Sequence, residues 1–136
     1  MIISDICPDG WKKFNRNCYN FVEKSLNWQA AENHCRQEGS HLASVNSKEE
    51  NNFIRTISSG WFWLGLTDFK EGVWIWSDGS PFAFNNWSGT GPSNSGGNED
   101  CVHGTQEENG NWNDIDCGRT FNFMCKKDIV QGTASI

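Results

Sequence analysis

Residues 61–64 read Trp-Phe-Trp-Leu, and at this point the chain changes from helix-forming to strand-forming sequence. Aromatic residues are favoured in strands, where their side chains pack on a pleated surface. A second run of this kind, 73–76, reads Val-Trp-Ile-Trp, and the turn-forming residues 68–72 separate the two runs. We therefore predict two strands joined by a turn in the middle of the chain.

An amphipathic helix is predicted to begin at Trp28 and to end before Gly39. Asn27 is a suitable N-cap residue, and Ala31 and Cys35 follow Trp28 at the three- and four-residue intervals that place side chains on one helix face. Glycine after the last periodic residue is a typical helix stop, because it readily adopts a left-handed conformation.

A second helix is predicted to begin after Ser47 and to run to about Ser58. Residues 47–50, Ser-Lys-Glu-Glu, form a capping box, in which the serine hydroxyl and the Glu50 carboxylate satisfy backbone N–H groups at the helix start. The inner face of this helix carries three apolar residues, Phe53, Ile54 and Ile57.

The remaining sequence predicts short strands and one long polar connection. The predicted strands are 16–23, 101–104, 112–115 and 120–126. Residues 77–98 are rich in Gly, Ser, Asn and Pro and are much longer than an ordinary connection, which indicates either a functional loop or disorder. Two helices followed by several short strands predict an α+β domain.

The size and charge of the chain narrow the classes of protein to which it can belong. Its 136 residues fit one domain with a hydrophobic core. A formal net charge of -6 gives no electrostatic basis for binding nucleic acid, and no stretch approaches the roughly 20 apolar residues of a membrane-spanning helix. The sequence contains no nucleophile-and-base motif, so we predict a binding domain and not an enzyme.

Six cysteines are spread along the chain without a Cys-x-x-Cys pair, a distribution unlike that of zinc sites. Free buried thiols are the alternative, but an even number from end to end favours disulfide bonds and an oxidising compartment. The residues before Cys7 lack the features of a secretion signal, so we expect that a signal has been removed from the natural chain. Spacing alone leaves the cysteine pairing open.

Three separated segments resemble signatures of the C-type lectin-like domain family. Residues 63–66 (Trp-Leu-Gly-Leu) resemble its strand signature, 99–101 (Glu-Asp-Cys) its loop-ending segment, and 112–114 (Trp-Asn-Asp) its calcium-strand triplet. The resemblance implies the family fold, in which two helices flank short antiparallel sheets beside a long calcium-binding loop. The implied boundaries are an N-terminal extension at 1–6, the domain at 7–127 and a C-terminal tail at 128–136.

The resemblance also implies how the cysteines pair. The implied pairs are Cys35 with Cys125, Cys101 with Cys117, and Cys7 with Cys18. The last of these is typical of the long form of the family. The shorter bridge in the second half of the chain is expected to fix the base of the binding loop.

A main calcium and sugar site is implied in the second half of the chain. Calcium binds several oxygen ligands, and the resemblance assigns this role to Glu99, Asn113 and Asp114, with Ser93 as a further ligand. Family members usually have oxygen-bearing side chains on both sides of the loop proline, where this chain has Gly91 and Ser93. Because glycine offers no side-chain oxygen, we expect a lowered calcium affinity at this site.

An auxiliary calcium site is implied by a second group of residues. It comprises Asp68, Glu71, Asn94, Glu99 and Asp100. The spacing from Asp68 to Glu71 is one residue shorter than in some family members, and for either residue alone a solvated surface charge is the simpler interpretation. We expect at least one bound calcium ion, which would order the loop.

Tryptophan is abundant, with eight residues, and its aromatic face can stack on the apolar face of a sugar ring. Burial in predicted helix or strand explains Trp28, Trp63, Trp74 and Trp112 without a ligand. Trp87, inside the polar connection, is the candidate for contact with a ligand, and anchoring of the loop is the alternative.

The sequence therefore favours calcium-dependent carbohydrate recognition in innate immune or cell-surface recognition. We expect a secreted protein or the extracellular domain of a membrane protein, with glycans as partners, and an oligomer is compatible with the sequence. Gly91 and Ser93 support the alternative, in which the same fold acts as a calcium-independent module that binds a protein, a lipid or ice.

Overall fold

The computed structural model describes residues 5–70, 73–87, 101–107 and 110–131. These ranges contain the helices α1 (Trp28–Gln37) and α2 (Lys48–Thr56). The strands are β1 (Asp5–Ile6), β2 (Lys12–Phe14), β3 (Asn17–Leu26), β4 (His41–Leu42), β5 (Trp61–Lys70), β6 (Val73–Trp76), β7 (Cys101–Thr105), β8 (Asn113–Ile115), β9 (Phe121–Asp128) and β10 (Val130–Gln131). Neither helix has the length and apolar character needed to cross a bilayer. The arrangement is the α+β fold predicted from the sequence.

Strand β9 is central to the main sheet. The strand order is β2-β3-β9-β5-β7-β8, and β4 also pairs with β9, while β6 pairs with β5. Only the β5–β9 pairing is parallel among the described strands. A separate two-stranded sheet joins β1 to β10, with Asp5 opposite Gln131. Parts of the predicted N-terminal extension and C-terminal tail therefore pair with each other.

Helix α1 forms as the sequence predicts. Its N-cap Asn27 accepts a hydrogen bond from the Ala30 N–H through its side chain, at 2.9 Å. Gly39 follows the helix with a φ of 71°, which is the left-handed conformation expected at a helix end. The inner face that carries Ala31 and Cys35 is buried.

Helix α2 begins with the predicted capping box. The Ser47 hydroxyl accepts a hydrogen bond from the Glu50 N–H at 3.0 Å. The Glu50 carboxylate accepts from the Asn46 N–H at 2.8 Å, one residue before the N-cap. Both groups thus satisfy backbone donors at the helix start, as a capping box does.

Two predicted boundaries in this part of the chain are wrong. Helix α2 ends at Thr56 and not near Ser58, because the N–H groups of Ile57 and Ser58 bond to carbonyls three residues earlier and tighten the last turn. Strand β5 continues to Lys70, into the predicted turn 68–72, because its pairing with β6 persists to that residue.

Alternate residues of β9 pack in two different hydrophobic clusters. Phe123 and Cys125 belong to the cluster that contains the inner face of α1, whereas Met124 belongs to the cluster that contains Ile54 of α2. Successive side chains of a strand point to opposite faces of its sheet. The two helices therefore cover opposite faces of β9, and the Cys35–Cys125 disulfide bond joins α1 to one of them.

The three disulfide bonds join the pairs that the family resemblance implies. These are Cys7–Cys18, Cys35–Cys125 and Cys101–Cys117. The second bond spans 90 residues, and such a cross-link stabilises a fold by a few kcal/mol, largely by restricting the unfolded chain.

Gly65 of the 63–66 segment allows β4 and β5 to approach closely. Its N–H donates to the Ala43 carbonyl at 2.9 Å. A Cβ atom at this position would lie 2.5 Å from the Leu42 carbonyl oxygen and 2.8 Å from the Ser77 hydroxyl. A larger residue would push the backbone apart, which explains the glycine in this segment.

A buried ion pair joins β9 to α2. The Lys126 Nζ lies 2.6 Å from the Glu50 carboxylate, and the two side chains are 8% and 7% exposed. Lys126 also donates to the carbonyl and the hydroxyl of Ser44, and the Tyr19 hydroxyl donates to Glu50. A buried charge is tolerated when it is paired and hydrogen-bonded in this way.

We expect Glu50→Gln to lower the free energy of unfolding by about 3–5 kcal/mol, because the substitution leaves the Lys126 ammonium buried without a counter-charge. Urea denaturation measures the loss. Glu49→Gln is the matched control, since Glu49 is exposed in the same helix turn, and it should cost no more than about 1 kcal/mol. Equal losses in the two variants would show that the buried pair contributes little.

Alkaline pH should unfold the protein through Tyr19, its single tyrosine. Burial, followed by the charge of Glu50, raises the pKa of Tyr19 far above its usual value. In the unfolded chain the Tyr19 hydroxyl ionises at pH ~10, whereas in the folded protein it stays protonated at that pH. Its contribution to the free energy of unfolding is therefore fully present below that pH and is lost as the pH rises above it. Tyrosinate absorbance should therefore appear together with the loss of near-ultraviolet circular dichroism, and ionisation that precedes this loss would contradict the assignment.

Candidate functional site

Strand β7 begins where the segment 88–100 ends. Its first residue, Cys101, pairs with Thr67 of β5 on one side and with Ile115 of β8 on the other. The predicted ligand residues that the structure describes lie on these two neighbouring strands. The start of β7 is therefore the reference point for the candidate site.

Strand β8 carries two predicted calcium ligands side by side. Asn113 pairs with His103 and Asp114 pairs with Val102 of β7. The Asp114 side chain is buried, and Asn113 is half-buried. Amide and carboxylate oxygens are the ligand types that calcium prefers, so the chemistry of this pair fits a calcium site.

Asp68 lies on the opposite side of β7. It is half-buried on β5, next to Thr67, the partner of Cys101. Two strand spacings separate β5 from β8, about 10 Å between backbones. Asn113 and Asp114 are thus consecutive residues of β8, and Asp68 lies two strands away from them.

The other predicted ligands lie outside the described residues. These are Glu71, Ser93, Asn94, Glu99 and Asp100, together with Gly91. Within the described part of the chain, no three His, Cys, Asp or Glu side chains form a group that could hold a metal ion. The two predicted ligand sets therefore depend on residue 71 and on residues 93–100.

The base of the 88–100 segment is held on both sides. After it, the Cys101–Cys117 disulfide bond joins the start of β7 to the residues that follow β8. Before it, the Asn86 carbonyl accepts a hydrogen bond from the Trp112 N–H at 2.8 Å, and the Asn86 amide donates to the Gly110 carbonyl at 2.9 Å. The described residues that flank the segment are therefore fixed to residues just before and just after β8.

Trp87 also helps to hold the residues that precede the 88–100 segment. It is half-buried, and its ring packs edge-on against Trp74, Phe82 and Trp112 at centroid distances of 5.3, 6.3 and 5.9 Å. Trp112 is fully buried and donates from its indole N–H to the Asn51 side chain. These contacts favour the alternative in which Trp87 anchors the loop.

An aromatic groove at the far end of β7 was missed by the sequence analysis. Trp61, which pairs with Thr105, is 45% exposed, and its ring stacks on the buried His103. Burial lowers the pKa of His103 below its usual value, so its imidazole is neutral at pH 7. No pattern in the sequence separates Trp61 from the buried Trp63, because residues two apart in a strand share a face.

Comparison with protein families identifies one match over most of the chain. The profile described as "Lectin C-type domain" matches residues 24–127, and the family comprises carbohydrate-binding domains that are not enzymes. C-type lectin domain family 4 member F of Mus musculus is 42% identical over 98% of this chain. An alpha-N-acetylgalactosamine-specific lectin of Patiria pectinifera is 41% identical over 85% of this chain and 77% of its own length. The chain spans only 26% of the mouse protein.

Solved structures with the same fold include proteins of different binding type. A calcium-independent type II antifreeze protein superposes with a TM-score of 0.88 and 29% identity, over 96% of this chain and 98% of that one. The cow C-type carbohydrate-recognition domain of CD23, in the presence of GlcNAc2Man3 oligosaccharide, has a TM-score of 0.87 and 32% identity, with 93% and 99% coverage. The fold is therefore shared by proteins described as carbohydrate-binding and as antifreeze.

We expect Trp87→Ala to lower the free energy of unfolding by about 2–4 kcal/mol, because it removes a ring that packs on the buried Trp112. Urea denaturation measures the loss. Phe82→Ala is the matched control: Phe82 contacts the same ring but is 37% exposed, and we expect a loss of about 1 kcal/mol. Unchanged stability in Trp87→Ala would contradict the anchoring role.

Proposed function

The chain belongs to the C-type lectin domain family, and on this basis we propose that it is a calcium-dependent carbohydrate-binding domain. Its cofactor is Ca²⁺ and its partners are glycans. The observation that carries the proposal is the position of Asn113 and Asp114, side by side on β8 and next to the strand that follows residues 88–100.

The proposed main site combines strand residues with loop residues. Asn113 and Asp114 contribute amide and carboxylate oxygens from β8, where pairing with β7 fixes their spacing. Glu99 and Ser93 complete the proposed set from the segment that leads into Cys101, which the Cys101–Cys117 bond fixes. Bound calcium would supply direct coordination of sugar hydroxyls. The protein's own contribution is to hold the ligand oxygens in place before the ion arrives, which raises affinity.

A separate auxiliary site is proposed on the other side of β7. It consists of Asp68, Glu71, Asn94, Glu99 and Asp100. The position of Asp68 across β7 from Asn113 supports a second ion in place of a single shared one. Such an ion would order the loop without contacting the sugar.

Two further observations support recognition of glycans outside the cell. The Patiria pectinifera relative is described as specific for alpha-N-acetylgalactosamine, and the cow structure as a carbohydrate-recognition domain. Three disulfide bonds fit an oxidising compartment. We therefore propose a secreted protein or an extracellular domain that acts in innate immune or cell-surface recognition.

The second candidate function is calcium-independent binding of ice. It is favoured by the similarity to the calcium-independent antifreeze protein, which covers 96% of this chain. It is also favoured by Gly91 and Ser93, because glycine removes one side-chain oxygen from the proposed main site. The two candidates differ in their need for calcium, so the same set of variants separates them.

We expect calcium to raise the melting temperature and to be required for binding on a glycan array. Stabilisation should reach about 2.7 kcal/mol at a calcium concentration one hundred times the dissociation constant. EDTA and Asn113→Ala should each abolish glycan binding, whereas Asn52→Ala, an exposed substitution in α2, should leave it unchanged. Gly91→Glu adds one carboxylate ligand and Ser93→Asn exchanges a hydroxyl for an amide oxygen, and together they should increase calcium affinity at least about tenfold.

Glycan binding that survives both EDTA and Asn113→Ala would reject the calcium-dependent mechanism. An empty array in saturating calcium, together with thermal hysteresis of ice growth in EDTA, would establish the second candidate instead. A melting transition in EDTA shows that a variant is folded. Titration calorimetry of the folded variants with calcium then distinguishes loss of the ion from loss of the fold.

A further inference from the structure

Trp61 exposes an unusually large aromatic surface. It lies at the start of β5 and is 45% exposed, whereas Trp63, two residues later, is fully buried. Single exposed apolar residues are common on proteins. Trp61 differs from them because its ring is held in a fixed place and forms one wall of a groove.

The indole ring of Trp61 is held by neighbouring rings. It stacks on His103 with a centroid distance of 4.2 Å and an interplanar angle of 14°. Phe121 lies 5.8 Å away at 57°. His103 is 3% exposed, so the surface beneath Trp61 is rigid. A ligand that contacts this indole would not have to order it first, which lowers the entropic cost of binding.

The groove beside Trp61 combines aromatic and neutral hydrogen-bonding groups, and the Arg119 guanidinium lies at its border, 5.9 Å from the centroid of the Phe121 ring. Its volume is about 430 Å³, and the described residues that line it are Ser25, Ser59, Gly60, Trp61, Thr120, Phe121 and Asn122. The hydroxyl and amide side chains among them form no hydrogen bond within the described part of the chain, so they remain available to a ligand. This volume belongs to a shallow depression that is open to solvent and not to an enclosed cavity.

This groove lies at the end of β7 opposite to Cys101, and His103 beneath Trp61 pairs with the proposed calcium ligand Asn113. Trp61 pairs with Thr105 at the end of β7, whereas residues 88–100 lead into Cys101 at its start. Four residue steps along a strand correspond to about 13 Å. The described lining contains no carboxylate, so the groove lacks the negatively charged side-chain ligands that a calcium site uses.

We propose that the Trp61 groove is a second, calcium-independent site for a neutral saccharide. One face of a pyranose ring is formed largely by C–H groups and packs on an aromatic surface, while its rim carries hydroxyl groups. Trp61 and Phe121 match the first of these features, and Ser59, Thr120 and Asn122 match the second. The side chains that line the groove are themselves neutral, so they match the hydroxyl groups of a neutral sugar. This site does not depend on the proposed calcium site.

The test is a nuclear magnetic resonance titration of the folded protein in EDTA. The probes are the methyl β-glycosides of galactose, glucose and N-acetylglucosamine, with sorbitol as a control that has hydroxyl groups but no ring. At least one glycoside should shift the Trp61 indole N–H resonance with a dissociation constant of about 1–10 mM, and sorbitol should not. Trp61→Phe assigns that resonance among the eight tryptophans.

Variants decide whether the groove itself binds the probe. Trp61→Ala should weaken binding at least about tenfold, and Thr120→Val, which keeps the aromatic stack and removes one hydroxyl, about fivefold. Ile75→Ala is the matched control, because it shortens another exposed apolar residue on β6 and should change nothing. The proposal is overturned if no glycoside shifts the resonance, or if binding survives both Trp61→Ala and Thr120→Val in variants whose melting temperatures show that they are folded.

Discussion

Two successive residues of β9 hold both helices to the sheet. Cys125 forms a disulfide bond with Cys35 of α1, and Lys126 forms an ion pair with Glu50 of α2. Because successive strand residues point to opposite faces, these two links act on opposite sides of the same strand. β9 also pairs with β3, β4 and β5. The Lys126–Glu50 pair is buried, so its charges are compensated only when β9, α2 and the Ser44 region have come together. The pair therefore forms only when β9 is correctly placed, since a shifted β9 would bury an unpaired ammonium group.

The sequence predicted the parts of this arrangement that depend on local chemistry. The N-caps Asn27 and Ser47 are set by hydrogen bonds within three residues, and such contacts can be recognised in a sequence. The strands β2 and β4 were not predicted, because two or three residues are too few to show a periodic pattern. The Lys126–Glu50 pair was not predicted either, because nothing local to Lys126 indicates burial. The cysteine pairing required the family resemblance, since spacing permits many alternatives.

In the candidate site, too, a short local signature could be recognised in the sequence, whereas contacts between residues distant in sequence could not. Asn113 and Asp114 were predicted as calcium ligands from a short signature, and this role stays a prediction; the structure places both residues on β8, which pairs with β7. Trp87 had two interpretations that only its contacts with Trp74 and Trp112 could separate. Trp61 and Trp63 look alike in sequence, yet their exposures are 45% and 0%. Strand period alone assigns both to one face, and only the residues that pack on that face decide which ring is covered.

The contacts that fix the residues flanking the 88–100 segment are made outside that segment. The fold and the proposed binding specificity therefore depend on different residues. The contacts that fix its ends are made by Asn86, Trp87 and Trp112 on one side and by the Cys101–Cys117 bond on the other. Gly91 and Ser93 belong to none of these contacts, so substitutions there would remove no described support of the fold and, in the proposed main site, would alter only the ligands available to calcium. A domain built in this way can change its ligand while its framework is retained. That is a physical reason why this chain superposes equally well on a calcium-independent antifreeze protein and on a carbohydrate-recognition domain, with TM-scores of 0.88 and 0.87.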